Sequence, residues 1–201
     1  VLADLGPRCA DAAARHDAED SFVSEGYDAL RAARVFSALV PRAFGGGGCS
    51  HAEMCDFLRR LAQDCPSTAL ALSMHQHLVA AAVANHRAGR PGAALLEQVG
   101  KGELVLVSTG ANDWLESNGS AERVSGGWRV TARKPFASGA PAGDLLVTSV
   151  ACETRGEGAQ VLHFAVPFTA EGVSCGDDWQ AMGMRGTGSA SVTLDGVFVP
   201  D

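Results

Sequence analysis

The chain has 201 residues, enough for one large domain or two of about 100 residues each, either of which buries well over half of its unfolded surface. Hydrophobic residues make up 46% and charged residues 19%, which excludes a disordered chain, and no apolar run approaches the roughly 20 residues needed to span a bilayer. Sixteen basic against twenty-three acidic residues give a formal charge of -7, which excludes a broad nucleic-acid surface and confines any basic site to a local patch.

From Leu2 to about Ala38, helical spacing at Leu5, Cys9, Ala12 and Ala13 and again at Leu30, Ala33 and Phe36 predicts two amphipathic helices joined near Ser21. Val40 to Phe44 and the four glycines 45–48 read as a loop; without the Lys-Ser/Thr of a P-loop or a preceding strand, it is a connector rather than a phosphate cradle. Ser50 opens a helix with a Ser-x-x-Glu capping box closed by Glu53, and Met54, Phe57, Leu58 and Leu61 line its buried face. Pro66 and Ser67 start a long helix, Thr68 to about His86, nearly devoid of charge and therefore central to its domain. His75 and His77, two residues apart, point to different faces; this excludes a helical metal pair. One of them, His75, is a candidate pocket residue, the alternative being a buried histidine satisfied by a backbone carbonyl. A last helix begins with Pro91 in its first turn, carries Leu95, Leu96 and Val99, and ends at Gly100.

After Lys101-Gly102 the periodicity changes to two, which sets the expected domains at 1–103, helical, and 104–201, β. Leu104 to Thr109 reads as a strand; Ala121 to Ser125 and Trp128 to Arg133 form a hairpin about Gly126-Gly127; Leu145 to Cys152, Val161 to Val166 and Ser189 to Val199 are further strands. Asp195-Gly196 is expected to turn the last of these into a short apolar run stopped by Pro200, as if the chain were leaving for another domain. Short strands without intervening helices predict an α+β chain: an all-α domain followed by a small antiparallel barrel or sandwich. Six cysteines without a CxxC pair, and no signal peptide ahead of them, imply reduced thiols in a cytoplasmic protein.

No Ser-His-Asp order, HExxH or paired Cys and His spacing is present, so hydrolytic and metal chemistry have no support. The loops that stand out combine an aromatic residue, hydroxyls and glycine: Ser108-Thr109-Gly110, Phe136-Ala137-Ser138-Gly139, and Trp179 followed by 182–189, MGMRGTGS. Such loops offer backbone donors and hydroxyls to a planar ring that an aromatic face covers. In order along the chain, the helical half, the V-P-x-x-F-G-G loop, the apolar helix, the K-P-F-A-S-G segment and W-x-x-M-G-M-R-G-T-G-S with V-F-V-P resemble the acyl-CoA dehydrogenase family of flavoproteins.

That resemblance implies a further C-terminal four-helix domain, FAD as cofactor, an acyl-CoA substrate, an electron-transfer acceptor and a homodimer or homotetramer. It assigns flavin contacts to Phe136, Ala137 and Ser138, which match the family's K-x-W-I-T segment with Phe for Trp, and to Ser108 and Thr109 at a strand end. Ser117 is the candidate for the substrate thioester contact, and Arg185 is either a ligand contact or a structural fork. The family's base is a carboxylate of the C-terminal domain and is therefore expected beyond Asp201. Asp113, Glu116 and Glu103, beside turns, are expected to be solvated and to have no such role. The activity implied is α,β-dehydrogenation of an acyl-CoA with hydride passing to flavin N5. Two alternatives stand beside it: a two-component flavin monooxygenase on the same scaffold, suggested by the departure from Glu-Pro-Gly after Thr109 and by the histidines, and a scaffold without catalysis.

Overall fold

Ten buried residues along one helix, from Thr68 to Val83, organise the first half of the chain. In the computed structural model, which describes residues 2–154 and 158–201, this helix, α4, runs Pro66–Arg87, with Pro66 in its first turn where a missing N–H costs nothing. The other helices of the first half are α1 (Leu2–Glu19), α2 (Ser24–Ala32), α3 (His51–Asp64) and α5 (Ala93–Gly102). The capping box of α3 is formed: Glu53 N–H donates to Ser50 Oγ at 3.2 Å and the Ser50 N–H donates to Glu53 Oε2 at 2.7 Å. α2 ends in a Schellman motif, with Arg34 N–H on Arg31 O and Val35 N–H on Leu30 O; Arg34 rather than glycine takes the left-handed position, at φ 56°. Its guanidinium gives a reason, donating to Gly100 O at 2.7 Å and Gly45 O at 3.2 Å and so tying α2 to the glycine turn and to α5.

The glycine turn is a backbone-paired connector. The N–H groups of Gly45, Gly46, Gly47 and Gly48 donate to the carbonyls of Arg42, Pro41, Ser37 and Val40, leaving none for a phosphate. Gly46 must be glycine, because a Cβ there would lie 2.2 Å from Val40 O.

The second half holds β1 (Leu106–Ser108), a short helix α6 (Ala111–Glu116), β2 (Ser120–Val124), β3 (Gly127–Lys134), β4 (Leu145–Thr154), β5 (Gly158–Pro167), β6 (Val173–Cys175) and β7 (Val192–Pro200). They form two sheets, β1-β4-β5 and β2-β3-β7-β6, with β2/β3, β3/β7, β4/β5 and β6/β7 antiparallel. Alternation places Val130, Ala132, Val192, Leu194, Leu146, Val150, Phe164 and Val166 in the core. The chain is thus α+β, as the change of period requires. It divides into two compact units, residues 1–106 with 180–188, and residues 107–179 with 189–201.

Four local expectations are corrected. The turn 180–188, read as part of the β half, packs with the helices: Val23 N–H donates to Gly186 O, and a Cβ on Gly186 would meet Val23 and Ser67. Arg185 there, expected beside the β unit as a ligand contact or a structural fork, pairs with the carboxylates of Asp17 (2.8 Å) and Asp20 (3.2 Å) near the α1 end. The Asp195-Gly196 dipeptide is no hairpin turn. β7 runs through it, and the register shift between Val130 and Ala132 sets Asp195 and Gly196 opposite Thr131 as a bulge, with Gly196 at φ 63°. In the β2–β3 hairpin the turn is Ser125-Gly126, since Val124 pairs with Gly127; Gly127 is already in the strand, where a Cβ would be 2.2 Å from Val199 O.

Candidate functional site

Three segments of the β unit meet at the ends of strands β1, β3 and β7. Gly110 follows β1 and donates its N–H to Pro135 O, just after β3, at 3.1 Å. A Cβ on Gly110 would stand 3.2 Å from the Phe136 ring, a tight contact that the small glycine avoids. Phe136 takes φ 56° and is 60% exposed. A bulky aromatic held in the left-handed region and turned outward costs free energy, and such strain gathers at ligand sites. Trp179 meets it edge to face, with ring centroids 6.1 Å apart and planes at 86°. Behind them, Ala137 N–H donates to Ala190 O at 3.1 Å, and the hydroxyls of Ser138 and Ser189 are 2.7 Å apart.

Trp179 is positioned through its neighbour. Asp178 accepts the Ser191 N–H at 2.8 Å and the Ser191 hydroxyl at 2.7 Å, and pairs with Arg133 at 2.6 Å. The Ser191 N–H and hydroxyl, and secondly Arg133, hold the Asp178 carboxyl below its ordinary value. A depressed carboxylate stabilises the fold above its unfolded pKa, about 4, and that contribution is lost as pH falls through the folded value. Acidification below about pH 4 is therefore expected to release this loop and shift Trp179 emission, and Asp178→Asn to show the shift at neutral pH. Identical spectra for variant and wild type, each referred to a Trp179→Phe control, would overturn this coupling.

Beneath the rim lies a buried charge cluster. Lys134 and Asp113 are both fully buried, Nζ to Oδ1 at 2.7 Å. The ammonium gives its other two donors to Asn118 O (2.7 Å) and Ser149 O (2.5 Å). Asp113 Oδ2 accepts the hydroxyls of Thr109 (2.6 Å) and Thr148 (3.1 Å). Burial pushes the Lys134 amine below its ordinary pKa, and the bond and charge of Asp113 pull it back.

The candidates from the sequence are distributed accordingly. Phe136, Ala137 and Ser138 lie together on the rim, joined to the β1 end through Gly110. Ser108 is buried, and Thr109 turns its hydroxyl inward to Asp113. Ser117 is buried, with its hydroxyl 2.9 Å from that of Ser149, so it faces the interior of the unit rather than a ligand. His75 is corrected as a pocket residue: its Nε2–H donates to Phe36 O at 2.8 Å, and its Nδ1 accepts the Leu106 N–H at 2.9 Å. The expectation of solvated acids fails twice, for Asp113 and for Glu103, which is 6% exposed and accepts the Ser37 N–H at 3.2 Å. Asp201, the residue beyond which a base is expected, is itself no part of the rim. Its carboxylate is exposed and accepts from the Arg123 guanidinium at 3.0 Å, and its N–H donates to Gly126 O at 3.3 Å, which ties it to the β2–β3 hairpin. Lys134, Asp113 and Asp178 escape the sequence reading, and Ser189 enters it only as the last residue of the 182–189 loop. Only Lys134 had a sequence signal, since period two from Val130 and Ala132 places it on the inward face.

Among the described residues, no group of three or more His, Cys, Asp or Glu side chains is placed to hold a metal. No helix there is long and apolar enough to cross a membrane.

Residues 6–102 match the family model for the acyl-CoA dehydrogenase N-terminal domain. A dibenzothiophene monooxygenase of Mycolicibacterium goodii is 32% identical over 188 residues, 86% of this chain and 43% of its own. The oxygenase component of an FADH2-dependent resorcinol hydroxylase from a Rhizobium species is 31% identical over 180 residues, 86% of this chain and 40% of its own. Among solved structures, KijD3 in complex with FMN and an amino-keto-sugar dTDP nucleotide superposes with a TM-score of 0.90 at 26% identity, over 99% of this chain and 50% of that one. The chain spans about two fifths of the length of these two curated relatives. A helical domain followed by a two-sheet β domain on this pattern is the acyl-CoA dehydrogenase fold. Residues 6–102 thus form an acyl-CoA dehydrogenase N-terminal domain, and the chain as a whole shares the fold of that family's flavoproteins.

Proposed function

We propose that the intact protein is a flavin-dependent monooxygenase that uses reduced flavin, supplied by a separate reductase, and dioxygen. The observation that carries this reading is the likeness, across 86% of the chain, to monooxygenases and to a hydroxylase oxygenase component. The acyl-CoA dehydrogenase activity expected from the family name has no such support, because none of the relatives named above acts on an acyl-CoA by its description. An acyl-CoA thioester is accordingly set aside as substrate.

The rim residues fit a flavin. The outward Phe136, with Trp179 across its edge, offers apolar cover for a planar tricyclic ring, and Ser138, beside Ser189, offers a hydroxyl within the same loop. Bound reduced flavin supplies two electrons to dioxygen, so that one oxygen atom enters the substrate and the other leaves as water. The chain's own residues orient the ring, keep water from its aromatic-covered side and present the Ser138 hydroxyl to its edge. FMN and reduced FAD each occur with relatives, so the class of cofactor is flavin, and FAD in particular rests on the family alone.

The test supplies the intact protein with reduced FMN or FAD and oxygen, in the presence of aromatic and organosulfur compounds. Oxygen consumption coupled to a hydroxylated or S-oxidised product is expected. Anaerobic bleaching of bound oxidised flavin by an acyl-CoA, with no oxygenated product, would overturn the reading.

A further inference from the structure

We propose that the buried Asp113–Lys134 pair is a positioning device for the flavin rim, an inference that rests on the reading of that rim as a flavin site. The pair stands where two of the three segments of the rim originate, those that follow β1 and β3. Lys134 is the last residue of β3 and immediately precedes Pro135 and Phe136. Asp113 lies in α6, three residues after Gly110, whose N–H holds Pro135 O. The second carboxylate oxygen takes the Thr109 hydroxyl from the β1 end and the Thr148 hydroxyl from the middle of β4. The ammonium takes Asn118 O and Ser149 O, and Ser117, at the end of α6, is bonded to Ser149 Oγ and to the Ala151 N–H. Every donor of the ammonium and both carboxylate oxygens are thereby fixed, and the bonds reach the β1 end, the end of α6 and strand β4.

Stability alone does not account for such a cluster. A buried ion pair offsets its desolvation only when its geometry is excellent, and a well-packed apolar pair of the same volume is often no less stable. What the ion pair adds is direction: the Thr109–Asp113 bond at 2.6 Å and the Asp113–Lys134 bond at 2.7 Å join the β1 end to the residue that precedes the 135–138 loop in one register, whereas apolar side chains would let them slide. The strained φ of Phe136 is then held by Lys134 on one side and the Ala137–Ala190 bond on the other.

The experiment uses the double variant Asp113→Leu/Lys134→Met of the intact protein, with FMN and FAD binding followed by flavin fluorescence and folding by thermal unfolding. A melting temperature close to wild type together with a flavin Kd raised at least tenfold is the expected result, because packing is replaced but register is not. Wild-type flavin affinity in that variant overturns the proposal. Thr109→Val provides the second arm should the double variant fail to fold: it leaves the ion pair intact and removes the hydroxyl that ties the β1 end to Asp113 at 2.6 Å and to the Thr148 hydroxyl at 3.3 Å, and a several-fold rise in Kd at unchanged melting temperature is expected, an unchanged Kd being contrary. Failure of the wild type itself to bind either flavin strikes the reading of the rim, and is thereby distinguished from failure of the pair.

Discussion

Asp113→Asn is expected to lower the unfolding free energy by about 3 kcal/mol, read from urea denaturation at pH 7. The substitution keeps the shape of the side chain and removes its charge, leaving the Lys134 ammonium fully buried among two carbonyls and an amide. A buried charge that loses its partner is among the costliest single changes in a protein, because neither water nor a counter-ion replaces what was lost. The sign of its pH dependence follows from Lys134. In the native protein burial already holds that amine below its ordinary pKa, with Asp113 opposing; without the carboxylate only the burial remains. The unfolded chain then binds more protons than the folded one between the folded value and the ordinary lysine value of about 10.4, so stability rises with pH across that window. The deficit of the variant relative to wild type should therefore shrink between pH 7 and pH 9.5. A deficit that stays constant over that range would mean that hydrogen-bond geometry, not charge, carries the cost.

This cluster also shows where the sequence stops being readable. The division into helices and strands is legible because apolar periodicity is physical: spacing of three to four at Met54, Phe57, Leu58 and Leu61 and spacing of two from Val130 to Lys134 both report which face is buried. The Ser50–Glu53 box is legible because both of its bonds are local. Asp113 is not, since apart from the nearby Thr109 its partners lie 21 and 35 residues away at Lys134 and Thr148, and nothing in ANDWLE distinguishes a buried aspartate from a solvated one. The six-residue helix α6 escapes for a related reason, being too short to show a period. Asp195-Gly196 carries the strongest hairpin signal in the chain, yet it folds as a bulge because β3 continues past it on the partner side. Of the site, the loop 136–138 was visible as an aromatic-hydroxyl cluster, whereas the residues that hold it in place were visible only after pairing.

His75 decides a second question, whether the helical unit contributes a substrate histidine at this position. Both ring nitrogens are engaged with the main chain, Nε2–H with Phe36 O and Nδ1 with the Leu106 N–H, and the ring packs edge to face on Phe36 at 5.1 Å. That fixes the Nε2–H tautomer and leaves the imidazole no free pole for a substrate or a proton. His75→Leu keeps the volume but takes the acceptor from the Leu106 N–H and the Nε2–H donor from Phe36 O, which keeps the Gln76 amide at 3.5 Å. Two weakened buried backbone groups at about 1–3 kcal/mol each give an expected loss of about 2–6 kcal/mol, measured by chemical denaturation. Activity per folded molecule and substrate KM, measured well below the melting temperature, should not change. A variant with native stability but an altered KM would restore His75 to the site. The bonds favour the opposite outcome, because a histidine that gives up both nitrogens to Phe36 and Leu106 can bind a ligand only by breaking the fold that buries it.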